Sequence, residues 1–224
     1  MGAKIQIKFL SDKTNNIILS KIIDVFYRLN ITYNDTIIGQ YTYWTDAPIW
    51  ELGNSFSVKE SKEKKYYSAN DMREIIDILS KYYSPVDCFG LSTPSNPILV
   101  QLSIVENDDN WKEITVSFDR YQAYDCLDQN GEIEFIDFLK ELFCQSVESL
   151  SPSYGSLSTE IGNFPESPSD ILLEPNLFGD FTFVCESMTN LIDMQVVKNE
   201  FKVIPLQKIG IVLIRKHNLL YYGY

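Results

Sequence analysis

Gly131-Glu-Ile-Glu-Phe-Ile-Asp-Phe-Leu-Lys-Glu-Leu-Phe-Cys-Gln-Ser-Val-Glu-Ser-Leu150, followed by Ser-Pro-Ser-Tyr-Gly-Ser-Leu-Ser-Thr-Glu160, carries a sustained helical repeat. Apolar residues recur at Ile136, Leu139, Phe143, Val147 and Leu150, and Phe135, Phe138 and Leu142 widen the stripe. Steps of three and four place them on one side of an α-helix and leave the acids on the other. Asn130 or Gly131 is placed to cap its start, Glu132 and Glu134 suit the positive end of its dipole, and Pro152 stops it.

Working outward, Lys4–Leu10 alternates Ile5, Ile7 and Phe9 with polar residues, which predicts a half-buried strand. Ile17–Leu29 has helical spacing and predicts an amphipathic helix. Thr36–Trp44 reads as a strand, with Ile49–Val58 a candidate to pair with it, and Lys59–Lys65 as a solvated hairpin or loop. Ser68 opens a further helix through Tyr82 that Pro85 ends, and a loop holding Pro94 and Pro97 follows. Ile98–Val105 and Glu113–Phe118 form a strand pair, whose turn sets Glu106, Asp108 and Asp109 at a hairpin tip. After the long helix, Leu157–Ile161, Phe181–Val184, Phe201–Ile204 and Ile209–Ile214 read as strands. Met188–Met194 reads as a turn or short helix. Asn163–Asn176, with three prolines, is a surface loop, and His217–Tyr224 an aromatic tail at a sheet edge. The expected architecture is one α+β domain over residues 1–224, a mostly antiparallel sheet with at least three amphipathic helices.

A chain of 224 residues, 45% hydrophobic and 13% aromatic, is long enough to bury a substantial core. No run approaches the roughly 20 apolar residues of a membrane span, and the first residues lack the apolar centre of a signal peptide. A cytoplasmic protein is expected. Cys88, Cys126, Cys144 and Cys185 lie far apart with no Cys-x-x-Cys pair, so buried free thiols are expected. The net charge of −12 is unevenly spread. Residues 1–105 carry 11 acids and 11 bases, residues 106–200 carry 20 acids and 4 bases, and residues 201–224 carry 4 bases and no acid. Such a field repels nucleic acid and membranes and attracts basic proteins.

Catalytic signatures are missing from the sequence. Asp128, Asn130, Gly131 and Asp137 match part of a calcium loop, but Cys126 stands first, and Asp137 replaces the bidentate Glu. A turn entering a helix explains the same residues, so no metal is expected. His217 is the only histidine and sits in the basic tail, away from any nucleophile signature. Tyr154-Gly155-Ser156-Leu157-Ser158 lacks the second glycine of a nucleophile elbow and reads as a turn. No glycine-rich phosphate loop occurs, and carboxylate pairs such as Glu132/Glu134 arise by chance among 31 acids. No cofactor is expected.

The second half of the chain resembles the immunity protein 52 family of bacterial polymorphic toxin systems. The resemblance rests on the helix Ile133–Leu150, on Pro152-Ser153-Tyr154-Gly155, on Gly179-Asp180-Phe181-Thr182-Phe183, and on Ile209–Ile214. In the family pattern an aromatic residue follows that glycine and a tyrosine closes the segment; here Asp180 and Phe183 stand there. The resemblance implies a non-enzymatic antitoxin that binds a toxin, often a nuclease with a basic cleft. Glu106, Asp108, Asp109, Asp128 and Glu132 would then supply charge, and Trp111 or Tyr154 an aromatic anchor. Two other readings compete: an acidic inhibitor of a host DNA-binding or defence protein, carried by a phage or plasmid, and an enzyme of unrecognised type.

Overall fold

The computed structural model describes residues 4–33, 43–44, 60–61, 86–91, 98–107, 110–119, 129–159, 164–174 and 177–216. In chain order the strands are β1 (Lys4–Ser11), β2 (Ile31–Tyr33), β3 (Tyr43–Trp44), β4 (Glu60–Ser61), β5 (Val86–Leu91) and β6 (Ile98–Glu106). Then come β7 (Lys112–Asp119), β8 (Tyr154–Thr159), β9 (Phe181–Cys185), β10 (Phe201–Leu206) and β11 (Gly210–Arg215). Among the described residues the α-helices are α1 (Asn15–Arg28), α2 (Gln129–Leu150) and α3 (Met194–Glu200).

β1 sits inside a nine-stranded sheet of order β10-β11-β9-β8-β1-β7-β6-β5-β2, while β3 and β4 pair separately. Every described pairing is antiparallel. Lys8 of β1 faces Thr115 on one side and Ser156 on the other. Because successive side chains alternate, Ile5, Ile7 and Phe9 share one face and are fully buried, while Lys8 and Leu10 share the other. The sheet therefore has two unlike faces, and each is closed differently.

α1 and α2 close the first face. Ile136, Leu139, Phe143, Val147 and Leu150 of α2 are buried against the sheet, as the spacing predicts. The Phe143 ring lies 5.4 Å from Phe9 and 6.0 Å from Phe181, tying the helix to β1 and β9 together. Phe118 of β7 meets Phe135 and Phe138 edge-on, at 5.7 and 6.2 Å. The last turn of α2 holds no base of its own. Lys13 donates instead to the Ser151 carbonyl and Lys21 to the Ser149 carbonyl, supplying positive charge where the dipole and orphan carbonyls need it.

Toward β8, β9, β11 and β10 the second face is apolar. There Leu10, Tyr154, Val184, Phe201 and Leu213 form a second cluster with Phe178, Ile192 and Val197. The segments on either side of β9 cover it: residues 164–174 and 177–178 before, and a 3-10 stretch Glu186–Leu191 with α3 after.

Some expectations need correction. α2 begins at Gln129, so Asn130 and Gly131 lie inside the helix and do not cap it; that backbone is also unlike a calcium loop, whose glycine makes a sharp turn. Tyr154-Gly155-Ser156 is the start of β8 and not a turn. A Cβ on Gly155 would come within 2.7 Å of the Phe9 ring, so this glycine is set by close packing in a strand. The sequence pattern does not predict β2, β5 or α3, while the 3-10 stretch Glu186–Leu191 falls on the predicted turn or short helix Met188–Met194. Cys144 and Cys185 are free thiols as expected, but half-buried. Ile49–Val58, the helix Ser68–Tyr82, Cys126 and His217–Tyr224 lie outside the described residues. Among those described, no helix is long and apolar enough to cross a membrane.

Candidate protein-binding surface

The residues singled out from sequence take different places. Glu106 ends β6 and is exposed, with its carboxylate 4.0 Å from Lys112 Nζ. Lys112 is buried and also donates to the Asn110 carbonyl at 2.9 Å, inside a tip where Asn110 adopts a positive φ of 65°. Trp111 is half-buried and packs against the second cluster. Asn107 Nδ2 donates to the Glu166 carbonyl at 3.2 Å, which ties this hairpin to residues 164–174. Glu132 lies in the first turns of α2, and Asp108, Asp109 and Asp128 lie outside the described residues.

Tyr154 belongs to the core and offers little of its side chain to solvent. It is 6% exposed, and its ring sits 5.7 Å from Phe164 within the second cluster. Burial pushes its phenol up to about 12, with the Thr182 hydroxyl opposing the shift. Below pH 10 the phenol keeps its proton whether the chain is folded or not, and the burial-derived stability is fully present. Between about pH 10 and 12 only the unfolded chain ionises, so stability falls as pH rises through the folded value. At about 1.4 kcal/mol per pKa unit the wild type should lose roughly 2–3 kcal/mol across that window. Tyr154→Phe should lack this contribution. Urea unfolding of both proteins at pH 9 and pH 12 measures it, and parallel losses would disprove it.

Around the cluster, the covering layer is strongly acidic on its outside. Glu166, Asp170, Glu174, Glu186, Asp193 and Glu200 are all exposed, and Lys198 is the one base between residues 164 and 200. Three of these acids serve the fold. Asp170 Oδ2 accepts from the Ser167 amide and hydroxyl at 2.9 and 2.8 Å. Asp193 Oδ1 caps α3 by accepting from the Gln195 and Val196 amides, and Glu200 pairs with Arg215 at 3.4 Å. Glu166 joins the fold through its main-chain carbonyl, which accepts from Asn107. Sequence reasoning places the excess of acids across residues 106–200 and takes its candidate contacts from Glu106 to Glu132; the segments beside β9 present six further exposed acids. Among the described residues, no three His, Cys, Asp or Glu side chains gather as a metal site would require.

No protein-family model and no curated protein matches the chain. Among solved structures it is similar to Pseudomonas aeruginosa T6SS protein PA0821, at 10% identity and a TM-score of 0.47, over 95% of this chain and 69% of that one. A likeness at that level carries no functional argument. The short motifs of the family resemblance occupy structural positions. Gly155 packs on Phe9 and Phe143, Gly179 on Ser156 and the Leu157 carbonyl, and Phe181 and Phe183 are buried.

Proposed function

We propose that this chain is a non-enzymatic immunity protein, one that neutralises a cognate bacterial toxin by binding it through an acidic surface. The observation that supports the reading is the layer beside β9, whose six exposed acids outnumber its own base, Lys198, and the two bases that reach it from the end of β11, Arg215 and Lys216. A field of that sign attracts a basic protein over several ångströms and speeds its docking. A nuclease fits best as target, because a cleft built for phosphates is itself basic. An acidic plug laid over it repels the substrate and blocks the site.

Two experiments test this in sequence. Affinity capture of the tagged protein from its native host at low salt, read by mass spectrometry, should retain a partner bearing a nuclease or other toxin domain. A host DNA-processing enzyme in its place would overturn the immunity reading. With the toxin in hand, the triple variant Glu166→Lys, Glu174→Lys, Glu186→Lys should associate at least about tenfold more slowly and show a flatter salt dependence. Its melting temperature should stay near that of the wild type, since exposed charges contribute little to stability. Unchanged association kinetics would sink the electrostatic mechanism.

A further inference from the structure

Apart from charge, the same layer carries exposed apolar side chains that the fold does not use. Among the described residues seven large hydrophobic side chains are exposed, and four of them fall between residues 172 and 196. They are Leu172 at 62%, Leu177 at 53%, Leu191 at 71% and Val196 at 41%. The others are Ile17 and Tyr27 on α1 and Val105 on β6.

The four share a pattern. Leu172 stands between Ile171 and Leu173, both packed against the second cluster; Leu177 precedes Phe178, Leu191 precedes Ile192, and Val196 precedes Val197. Each exposed residue is thus the chain neighbour of one that holds the layer down on the same cluster. All four are therefore left exposed on the segments that cover this one cluster, whose inward contacts are made by their neighbours. Scattered apolar residues are ordinary on a surface, but a concentration of them rimmed by polar groups marks a place where another protein docks.

We infer that the outer side of this layer is the docking face for a basic protein, with Leu172, Leu177, Leu191 and Val196 as its apolar contacts. The charge around them selects the occupant. Glu166, Glu174 and Glu186 stand among these residues in the chain and are exposed, so a second copy of this acidic chain would be repelled, while a basic surface would be drawn in. The inference rests on the immunity reading for the partner's role, but not for its location or its charge.

The test is a benzophenone side chain placed at Leu172 or Leu191, and for comparison at Ile17 or Tyr27, with irradiation in the native host and mass spectrometry of the products. Adducts at positions 172 and 191 with one basic protein, absent at 17 and 27, are the expected result. The yield should fall at least severalfold when Glu166, Glu174 and Glu186 are all changed to Lys. If that basic protein carries no toxin domain, the docking face stands and the immunity reading falls. Adducts with a toxin only at 17 or 27 overturn the docking face and leave the immunity reading standing. Adducts with an acidic protein, adducts with a second copy of this chain, or no adduct at 172 and 191 also overturn it.

Discussion

Phe143→Ala should lower the unfolding free energy by about 3–5 kcal/mol, the range for removing a buried aromatic ring. The residue is fully buried at the middle of α2. Its ring touches Phe9 on the central strand and Phe181 on β9, at 5.4 and 6.0 Å, so one side chain locks the long helix onto two separate strands. The hole left behind is lined by rigid sheet on one side and a 22-residue helix on the other, and neither collapses easily into it. Set against a typical stability of about 5–15 kcal/mol, such a loss leaves a variant near the edge of folding. Phe143→Leu, which keeps most of the volume, should cost much less, about 1–2 kcal/mol. Chemical denaturation with coincident fluorescence and circular dichroism measures both. Equal losses for the two variants would show that shape filling is not what Phe143 contributes.

Gly210→Ala should be the other severe change, at about 2–4 kcal/mol from backbone strain and overpacking combined. Gly210 opens β11 at a φ of +153°, a conformation that L side chains rarely adopt, and pairs across the ladder with Cys185. A Cβ there would collide with the Val184 carbonyl oxygen and come within 2.8 Å of Cys185 Cα. These are main-chain atoms of the neighbouring strand, so no side chain can turn aside to relieve the contact. The β9–β11 pairing must open locally, and β10 hangs on β11 alone as the end of the sheet. Amide hydrogen exchange should therefore quicken in β10 and β11 while β1 and β7 keep their protection. A stability within about 0.5 kcal/mol of the wild type would refute the argument.

The legibility of each segment in the sequence depends on whether its pattern comes from burial on one face. β1, α1, α2 and the β6–β7 hairpin are half-buried, so their apolar residues recur at the period of their structure, and sequence places each within a residue or so at most ends. α3 leaves a readable sign in Asp193, an N-cap ahead of Met-Gln-Val-Val, but its apolar residues are too few to show a period. β5 gives a weaker one: Asp87 and Gly90 interrupt it, and its register against β6 shifts between Val86 and Phe89. β8 begins three residues before the predicted Leu157 because Tyr-Gly-Ser is turn chemistry locally, and only the Phe9 ring, far away in sequence, makes a glycine necessary there.

The binding surface is less accessible to sequence for a related reason. Acids and aromatics near Glu106 and Tyr154 look alike as letters, but the fold buries Tyr154, half-buries Trp111 and exposes Glu106. Ile171-Leu172-Leu173 does hold a signal: three apolar residues in a row within a proline-rich loop cannot all face inward. Which one faces out is decided by the cluster beneath, and that cluster is assembled from β1, β8, β9, β10 and β11.

The central position of β1 also sets a timetable for synthesis. Its neighbours in the sheet are Lys112–Asp119 and Tyr154–Thr159, so the ribosome must add more than a hundred residues before either flank is available. At roughly 5–20 residues per second that interval is on the order of ten seconds. During it Ile5, Ile7 and Phe9, which end fully buried, have no sheet to join. The nascent chain thus carries a sticky strand from the outset, and a chaperone that shields it until β8 emerges should raise the yield of folded protein.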